Sequence, residues 1–179
     1  MKIVLKSVAA GALMLGAGAF AADNSHCDNA NVGASMPTSA FEIASDGSTV
    51  THLTTGLMWA RCALGQSWNG STCSGSATTY TWSNALQAAA DLNSGGGYAG
   101  YTDWRLPNIK ELASIVERCA YDPAVNPTVF PGTYSGAHWT STPDVNNAGY
   151  ANMVQFQVGN DYSFVTSNTY AVRLVRGGY

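Results

Sequence analysis

The 179-residue chain carries eight Lys and Arg against eleven Asp and Glu, which gives a formal net charge of −3 at pH 7. A surface that binds nucleic acid needs a concentrated patch of cations, so these few scattered basic residues argue against a nucleic-acid partner. Only 11% of the residues are charged and 19 are Gly. This composition is typical of a loop-rich, β-containing secreted domain rather than of a cytosolic enzyme or a helical bundle.

The N-terminus has the pattern of a cleavable signal peptide. Lys2 and Lys6 form a short positive region, residues 8–19 carry no charge, and residues 19–21, Ala-Phe-Ala, match the small-x-small pattern that signal peptidase reads. The uncharged stretch is shorter than the roughly 20 residues of a membrane-spanning helix. We therefore expect cleavage to remove residues 1–21 and to leave no integral membrane segment. The mature chain is predicted to be secreted, on the cell surface or in the periplasm.

Four cysteines follow, at Cys27, Cys62, Cys73 and Cys119, and they allow three pairings. The loop between Cys62 and Cys73 contains an Asn-Gly turn signal at residues 69–70, which favours a local bond and leaves Cys27 to pair with Cys119. A zinc site is the alternative, but the chain lacks a Cys-x-x-Cys pair and its three histidines are dispersed. We expect two disulfides, no metal and no cofactor.

The first third of the mature chain reads as a lead-in followed by short strands. Residues 22–39 form a polar lead-in, and we place the domain itself at residues 40–179. From Phe41 onward, turn signals at residues 46–47 and 54–56 separate short strands, the last of which runs into Cys62.

A first helix is predicted after this region. Thr81 or Ser83 can cap its start, and the glycine run at residues 95–97 ends it, because glycine accepts the left-handed conformation that follows a helix. Its expected buried face consists of Trp82, Leu86, Ala89 and Ala90.

A second helix has a clearer beginning. Pro107 keeps the entry extended, Asn108 is a good N-cap, and Glu111 stands three residues later, where it completes a capping box. The helix is expected to pack inward and to deliver Cys119 to its disulfide partner. Its expected buried stripe consists of Ile109, Leu112, Val116 and Cys119.

In the last third of the chain, apolar and polar residues alternate as they do in β-strands. In residues 153–158 the apolar Val154, Phe156 and Val158 share one face, and a turn at residues 159–161 leads into a further strand at residues 162–166. A final strand is predicted over residues 170–176. The order of strands, two helices and strands predicts an α+β fold, with the helices packed on short antiparallel sheets and disulfides stapling the whole.

The quoted segments resemble the Lcl C-terminal domain family, first described on bacterial collagen-like adhesins. The resemblance spans roughly residues 41–177. It rests on residues 55–59 (Thr-Gly-Leu-Met-Trp), 103–108 (Asp-Trp-Arg-Leu-Pro-Asn), 138–142 (His-Trp-Thr-Ser-Thr) and 172–176 (Val-Arg-Leu-Val-Arg). The Trp-Arg-Leu-Pro segment and the late Trp-x-Ser are also similar to the C-type-lectin-like fold, so the resemblance implies that fold and a secreted binding module.

The resemblance to the domain of the collagen-like adhesins also implies glycosaminoglycan binding. A sulfated polymer calls for clustered cations, and cleavage of the signal peptide would remove two lysines and take the net charge here to about −5. The fold implied by the resemblance therefore transfers better than that ligand.

We expect the late loops to form the binding surface, because amide, carboxylate and ring groups of this kind bind sugars or a hard cation such as calcium. The sugar-calcium signatures Glu-Pro-Asn and Gln-Pro-Asp are absent from the sequence, so we expect no metal there. The candidate ligand-binding residues are Trp68, His138, Asp144, Asn146, Asn147, Tyr150, Asn152, Asn160, Asp161 and Tyr162. The alternative is that these polar residues only satisfy the backbone of turns.

Other prominent residues are expected to be structural. Trp59, Trp82, Trp104 and Trp139 have apolar neighbours and are expected in the core. Arg105 is expected to be the most buried charged residue and to pair with Asp103 or Glu111. We also assign structural roles to Trp104, Pro107, Asn108 and Glu111 around it.

No catalytic motif is evident: the chain lacks Gly-x-Ser-x-Gly, His-Glu-x-x-His and a phosphate-binding glycine loop. We therefore predict a non-enzymatic binding or adhesion module whose partner is a glycan or a surface protein. The alternative is a structural subunit of a surface appendage or periplasmic complex, which would form homo-oligomers.

Overall fold

The computed structural model of the chain describes Cys27 and residues 33–177. The expected signal peptide lies outside these residues and stays a prediction, as does the domain boundary at residue 40. Within the described residues no helix combines the length and the apolar character needed to cross a bilayer.

The described part of the chain has mixed α+β structure. Its helices are α1, Trp82–Ser94, and α2, Ile109–Ala113, and a short 3-10 helix covers Thr38–Ala40. Its strands are β1 Phe41–Ile43, β2 Thr49–His52, β3 Met58–Ala60, β4 Ser67–Trp68, β5 Cys73–Ser74, β6 Thr79–Tyr80, β7 Ala137–Pro143, β8 Tyr150–Gln155, β9 Asn160–Val165, β10 Tyr170–Ala171 and β11 Val175–Arg176.

A four-stranded antiparallel sheet contains β1, β2, β3 and β11 in that order. Both turns expected between its first strands are present. Gly47 and Gly56 occupy them with φ of 72° and 68°, a conformation that a residue without Cβ adopts at little cost. The strands β4 and β5 form a separate pair within the Cys62–Cys73 loop.

A five-stranded sheet contains the strands in the order β6-β10-β7-β8-β9. The strands β7, β8 and β9 are antiparallel neighbours. The expectation of purely antiparallel sheets is wrong at one place, because β10 lies parallel to β7 through Ala171 and His138. The strand β9 lies at the edge of this sheet.

The single final strand predicted over residues 170–176 is divided between the two sheets. Its first part is β10 in the five-stranded sheet and its last part is β11 in the four-stranded sheet. Arg173 lies at the crossing, fully buried, and its guanidinium donates to the backbone carbonyls of Ala60 and Arg61 and to Thr133 Oγ1. These partners, far away in sequence, hold residues 172–174 out of either ladder.

The strand predicted over residues 153–158 begins and ends earlier, as β8. Backbone N–H groups of Val158 and Gly159 donate to the carbonyl of Gln155 and close a turn, and Gly159 has a φ of 75°. Val154 and Phe156 are buried as expected, but Val158 is 53% exposed because it belongs to this turn.

The helix α1 begins after Thr81 and ends before the glycine run, as predicted. Its buried residues are Ala85 and Ala89, whereas Leu86 and Ala90 are exposed. The buried face of α1 therefore contains Ala85 in place of the predicted Leu86 and Ala90. The small Ala85 side chain allows α1 to approach the apolar cluster around Trp104 and Trp139.

The helix α2 starts with the predicted capping box. Glu111 N–H donates to Asn108 Oδ1 (2.9 Å), and Asn108 N–H donates to Glu111 Oε2 (2.7 Å). The helix is shorter than predicted, ending at Ala113, so the expectation that it carries Cys119 is wrong. Ser114 Oγ bonds back to the carbonyl of Glu111 (2.7 Å) at the end of the helix, and turns follow.

Both disulfides favoured by the sequence are formed, Cys62–Cys73 and Cys27–Cys119. The second one fastens part of the lead-in, which also binds Glu117. The buried Glu117 carboxylate accepts hydrogen bonds from Ser35 N–H and Oγ (2.8 and 2.7 Å) and from Met36 N–H (2.8 Å). Burial alone would raise the pKa of Glu117, but these hydrogen bonds outweigh it and lower the pKa.

The five-stranded sheet separates two apolar clusters. In β8, Met153 belongs to one cluster with Trp104 and Trp139, while Val154 belongs to the other with Trp59 and Leu112. Successive side chains of a strand point to opposite faces, so both faces of the central strands are covered in this region. On the face that carries Met153, the outer part of the sheet towards β9 is open to solvent.

Candidate functional site

A groove lies on the open part of the five-stranded sheet, and its rings make it the candidate site. Its volume is about 200 Å³. The residues lining this aromatic groove are Ala137, Met153, Gln155, Tyr162, Phe164 and Tyr170.

Strand register explains why these side chains share one face. Met153 of β8 stands opposite Tyr162 of β9 and opposite Trp139 of β7. Phe164 lies two residues after Tyr162 and therefore points the same way. Tyr162 is 45% exposed and Phe164 39% exposed, so β9 presents two rings to solvent at the edge of the sheet.

The rings form a continuous row. The centroids of Tyr162 and Phe164 lie 6.5 Å apart, those of Phe164 and Tyr170 6.0 Å apart, and those of Tyr170 and the buried Trp139 4.7 Å apart. These are edge-to-face and tilted arrangements, which aromatic pairs prefer. The exposed rings are therefore held in place through Tyr170 by the core.

Amide groups accompany the rings. Asn160 Nδ2 donates to Tyr162 Oη (3.3 Å) and Asn168 Nδ2 donates to Tyr170 Oη (3.1 Å), which leaves each phenol able to donate its own O–H. Gln155 Oε1 is buried and has no hydrogen-bond partner among the described residues. The groove thus combines rings with two phenol O–H donors.

Only two of the predicted ligand-binding residues, Asn160 and Tyr162, belong to this face. Asn152 and Asp161 lie on the opposite face of the sheet, as the alternation in β8 and β9 requires. The rings of Phe164 and Tyr170 and the amide of Gln155 were missed by the sequence analysis. The strand alternation around Tyr162 was the one signal that pointed to them.

Asp144 organises the turn between β7 and β8. It accepts hydrogen bonds from Asn147 Nδ2 (2.8 Å), Ser163 Oγ (2.7 Å) and Asn146 N–H (2.8 Å), and these lower its pKa to about 2. Both carboxylate oxygens are used by protein donors. Asp144, Asn146 and Asn147 therefore fix the turn and its connection to β9, which is the structural alternative, while Tyr150 stands exposed where β8 begins.

The expectation that His138 lies on the binding surface is wrong. The side chain is fully buried, its ring packs edge-on against Phe156 with centroids 4.9 Å apart, and its Nδ1 bonds to the carbonyl of Gly136 (3.1 Å). Burial, followed by the nearby charge of Arg173, lowers the pKa of His138 to about 3, although the hydrogen bond to Gly136 acts in the opposite direction. The imidazole is neutral at physiological pH.

Trp68 is half-buried rather than fully open. Its Nε1 donates to the carbonyl of Asp46 (2.9 Å), and the guanidinium of Arg61 lies 4.5 Å from its ring centroid. The contacts tie the Cys62–Cys73 loop to the first hairpin. None of these partners belongs to the aromatic groove.

Arg105 has the structural pairing expected of it, but it is not the most buried charge. It makes a two-pronged ion pair with Glu111 (2.7 and 2.8 Å) and donates to the carbonyl of Gly177 (3.1 Å). Burial opposes ionisation of Glu111, yet these hydrogen bonds and that from Asn108 N–H outweigh it and lower its pKa. The most buried charged residues are instead Arg173, Glu117 and Arg61.

A larger cleft of about 660 Å³ lies beside α1 and α2, next to the Trp-Arg-Leu-Pro segment. Its polar groups are already used, because Asn93 bonds to the backbone of Trp104 through both its oxygen and its nitrogen (3.0 and 2.7 Å), and Arg105 and Glu111 bond to each other. These polar groups are therefore less available to a ligand than those of the aromatic groove.

One group of potential metal ligands is present among the described residues, formed by Cys27, Glu117 and Cys119. Both sulfurs are consumed in a disulfide, and Glu117 is hydrogen-bonded to the lead-in. The group is therefore a structural fastening.

Comparison with known proteins supports the resemblance seen in the sequence. The model of the Lcl C-terminal domain matches residues 48–176, which includes both helices and all strands except β1. A comparison with curated proteins gives no match. A match over more than half of the chain is decisive for kinship: the chain belongs to the Lcl C-terminal domain family.

Proposed function

We propose that the chain is an exported, non-enzymatic adhesion module that binds a glycan on the open face of its five-stranded sheet. The family is one of surface or adhesin-like modules. Two disulfides are typical of proteins that fold outside the reducing cytoplasm. The Trp-Arg-Leu-Pro segment that enters α2 and the last strand that returns to β3 support a C-type-lectin-like fold as part of the proposal.

The exposed rings of β9 carry the proposal. Tyr162 and Phe164 are 45% and 39% exposed, and their ring centroids lie 6.5 Å apart on the face of the groove. Neighbouring exposed rings on one face mark an interaction site, because single surface hydrophobics are ordinary but clustered ones are not.

A non-enzymatic role is supported by the state of the two histidines and of the cysteines in the described part of the chain. His138 is sealed in the core, and His52 is buried in the first sheet with its Nδ1 near Thr55 Oγ1 (3.0 Å) and its ring stacked on Phe41. Every described cysteine is in a disulfide. A reaction would need a nucleophile and a base that face a cavity together.

A glycan array probed with the labelled, purified chain tests this function. We expect reproducible binding to a set of glycans, with or without calcium, and loss of that binding in Phe164→Ser. The matched control is Val145→Ser, which removes an apolar side chain that is 91% exposed and lies outside the groove. Absence of binding by the folded wild-type chain under both conditions would refute the proposal.

A subunit of a surface assembly is the second candidate, and the edge strand β9 favours it. Its sequence, Asn-Asp-Tyr-Ser-Phe-Val, contains no Lys, Arg or Pro, the residues that usually protect a sheet edge from pairing. Light scattering after size-exclusion chromatography tests this candidate. A stable oligomer that dissociates in Phe164→Lys supports it, and a monomer at high concentration contradicts it.

A further inference from the structure

We infer that the aromatic groove takes an uncharged saccharide residue and not a sulfated one, an inference that rests on the proposed function. The first argument is the lining itself. It consists of three rings, one amide and two apolar side chains, with no group that is charged at neutral pH. A carboxylate or sulfate placed there would lose hydration without gaining an ionic partner.

The wider sheet is also devoid of cations. The sequence contains no Lys or Arg between Arg118 and Arg173, and none in β6, so all five strands lack them. Arg173 is fully buried and bonded to backbone carbonyls. Asp161 and Asp144 are the charges of the β7–β9 segment, and both repel an anion.

Arg118 is the exposed cation that touches this hairpin, where its Nη1 donates to the carbonyl of Gly159 (3.3 Å). Gly159 packs towards Val116, a member of the cluster on the opposite side of the sheet from the groove. One such cation falls far short of the clustered cations that hold a sulfated polymer. Arg118 instead provides a test of ionic binding.

A pyranose matches the two kinds of group that the groove presents. One face of the sugar carries polarised C–H bonds, which lie favourably on the electron-rich face of an aromatic ring. Its hydroxyls can accept from the phenol O–H groups of Tyr162 and Tyr170, whose oxygens already accept from Asn160 and Asn168. A sugar hydroxyl that bonds to a phenol held in this way adds affinity to the ring contact.

The size of the groove fits one sugar ring rather than a drug-sized ligand. Its volume of about 200 Å³ is below the ~300–1,000 Å³ of sites that enclose drug-sized molecules. Because β9 is the edge strand, a glycan can continue beyond the sheet in both directions. The groove therefore suits a terminal or internal neutral residue of a longer glycan.

The test measures affinity by calorimetry for two probes, the best neutral oligosaccharide of an array and heparin. We expect affinity for the neutral probe that changes little between about 50 and 300 mM NaCl, because no counterions are released. Phe164→Ser should weaken it by about tenfold or more. Tyr162→Phe should weaken it with little change in the thermal midpoint, since it removes the hydroxyl of an exposed side chain and keeps the ring.

Val145→Ser and Arg118→Gln are the controls and should leave affinity for the neutral probe unchanged. Salt-sensitive binding of heparin that Arg118→Gln weakens, with no neutral binding, would overturn the inference and leave the binding function standing. Neutral binding that is unaffected by Phe164→Ser and Tyr162→Phe would overturn the groove as its site. Failure to bind any saccharide would overturn the inference together with the proposed function.

Discussion

Buried cations in this domain bind backbone carbonyls rather than carboxylates. Arg61 donates to the carbonyls of Val129 (2.7 Å), Thr128 (2.7 Å) and Gly47 (2.9 Å), and Arg173 donates to those of Ala60 and Arg61. Burial, followed by the charge of Arg61, lowers the pKa of Arg173 to about 9. The two carbonyls that Arg173 binds lie more than 100 positions away in the sequence, so no local pattern could reveal them.

Removing this guanidinium should therefore be costly. We expect Arg173→Met to lower the free energy of unfolding by about 2–4 kcal/mol, because two buried carbonyls and a hydroxyl lose their donor. Arg176→Met is the matched control: its ion pair with Asp103 is partly exposed (22% and 53% side-chain exposure), so its loss should change the free energy of unfolding much less. Urea unfolding at pH 7 measures both. Equal losses in the two variants would contradict this account of Arg173.

His138 predicts a dependence of stability on pH. Its folded-state pKa of about 3 is below the unfolded value near 6.5, so the unfolded chain binds a proton in this window that the folded chain does not. The contribution is present in full above about pH 6.5 and is lost as the pH falls towards 3, by up to about 1.4 kcal/mol per pH unit. His52, whose pKa burial also lowers, adds in the same direction.

Urea unfolding of wild type and His138→Gln between about pH 5 and 7 isolates the contribution of His138. The free energy of unfolding of the variant should depend less steeply on pH than that of the wild type. The remaining dependence is due to His52, and the part that His138 supplies is lost. An unchanged slope would show that His138 protonates in the folded state without cost.

At the level of elements, the sequence predicted what local chemistry determines. The β1–β2 and β2–β3 turns, the end of α1 at the glycine run and the capping box of α2 follow from residues within a few positions of one another. The division of the last strand and the parallel pairing of β10 with β7 depend on partners from distant segments. The groove also depends on contacts between segments rather than on local chemistry, because β9 and β10 each contribute rings to it.

The two disulfides differ in the length of chain that they close. Cys27–Cys119 spans 92 residues and Cys62–Cys73 spans 11. The chain-entropy model gives about 4.6 and about 2.8 kcal/mol for loops of these lengths. We expect the Cys27→Ser/Cys119→Ser variant to lose more free energy of unfolding than Cys62→Ser/Cys73→Ser, since it also loosens the residues bound to Glu117. A larger loss in Cys62→Ser/Cys73→Ser, measured by urea unfolding, would contradict the role of Cys27–Cys119 in holding the lead-in against the domain.

In the whole molecule, the buried charges and the proposed recognition surface lie in separate regions. The four-stranded sheet, α2 and the fastened lead-in hold the buried charges and one apolar cluster. The five-stranded sheet is supported by core rings on its inner part and carries the open rings of β9 at its edge. The fastened residues 35–40 precede the family match at residue 48, so they extend the domain beyond the segment that defines the family.

The most direct test of the central claim is chemical-shift mapping by two-dimensional NMR, with the isotope-labelled chain titrated with the strongest neutral oligosaccharide from the array. The account predicts that the largest shifts fall on Gln155, Tyr162, Phe164 and Tyr170, with none at Val145. Shifts centred on Leu86, Trp104 and Arg105 would place the ligand in the cleft beside the helices and contradict the account.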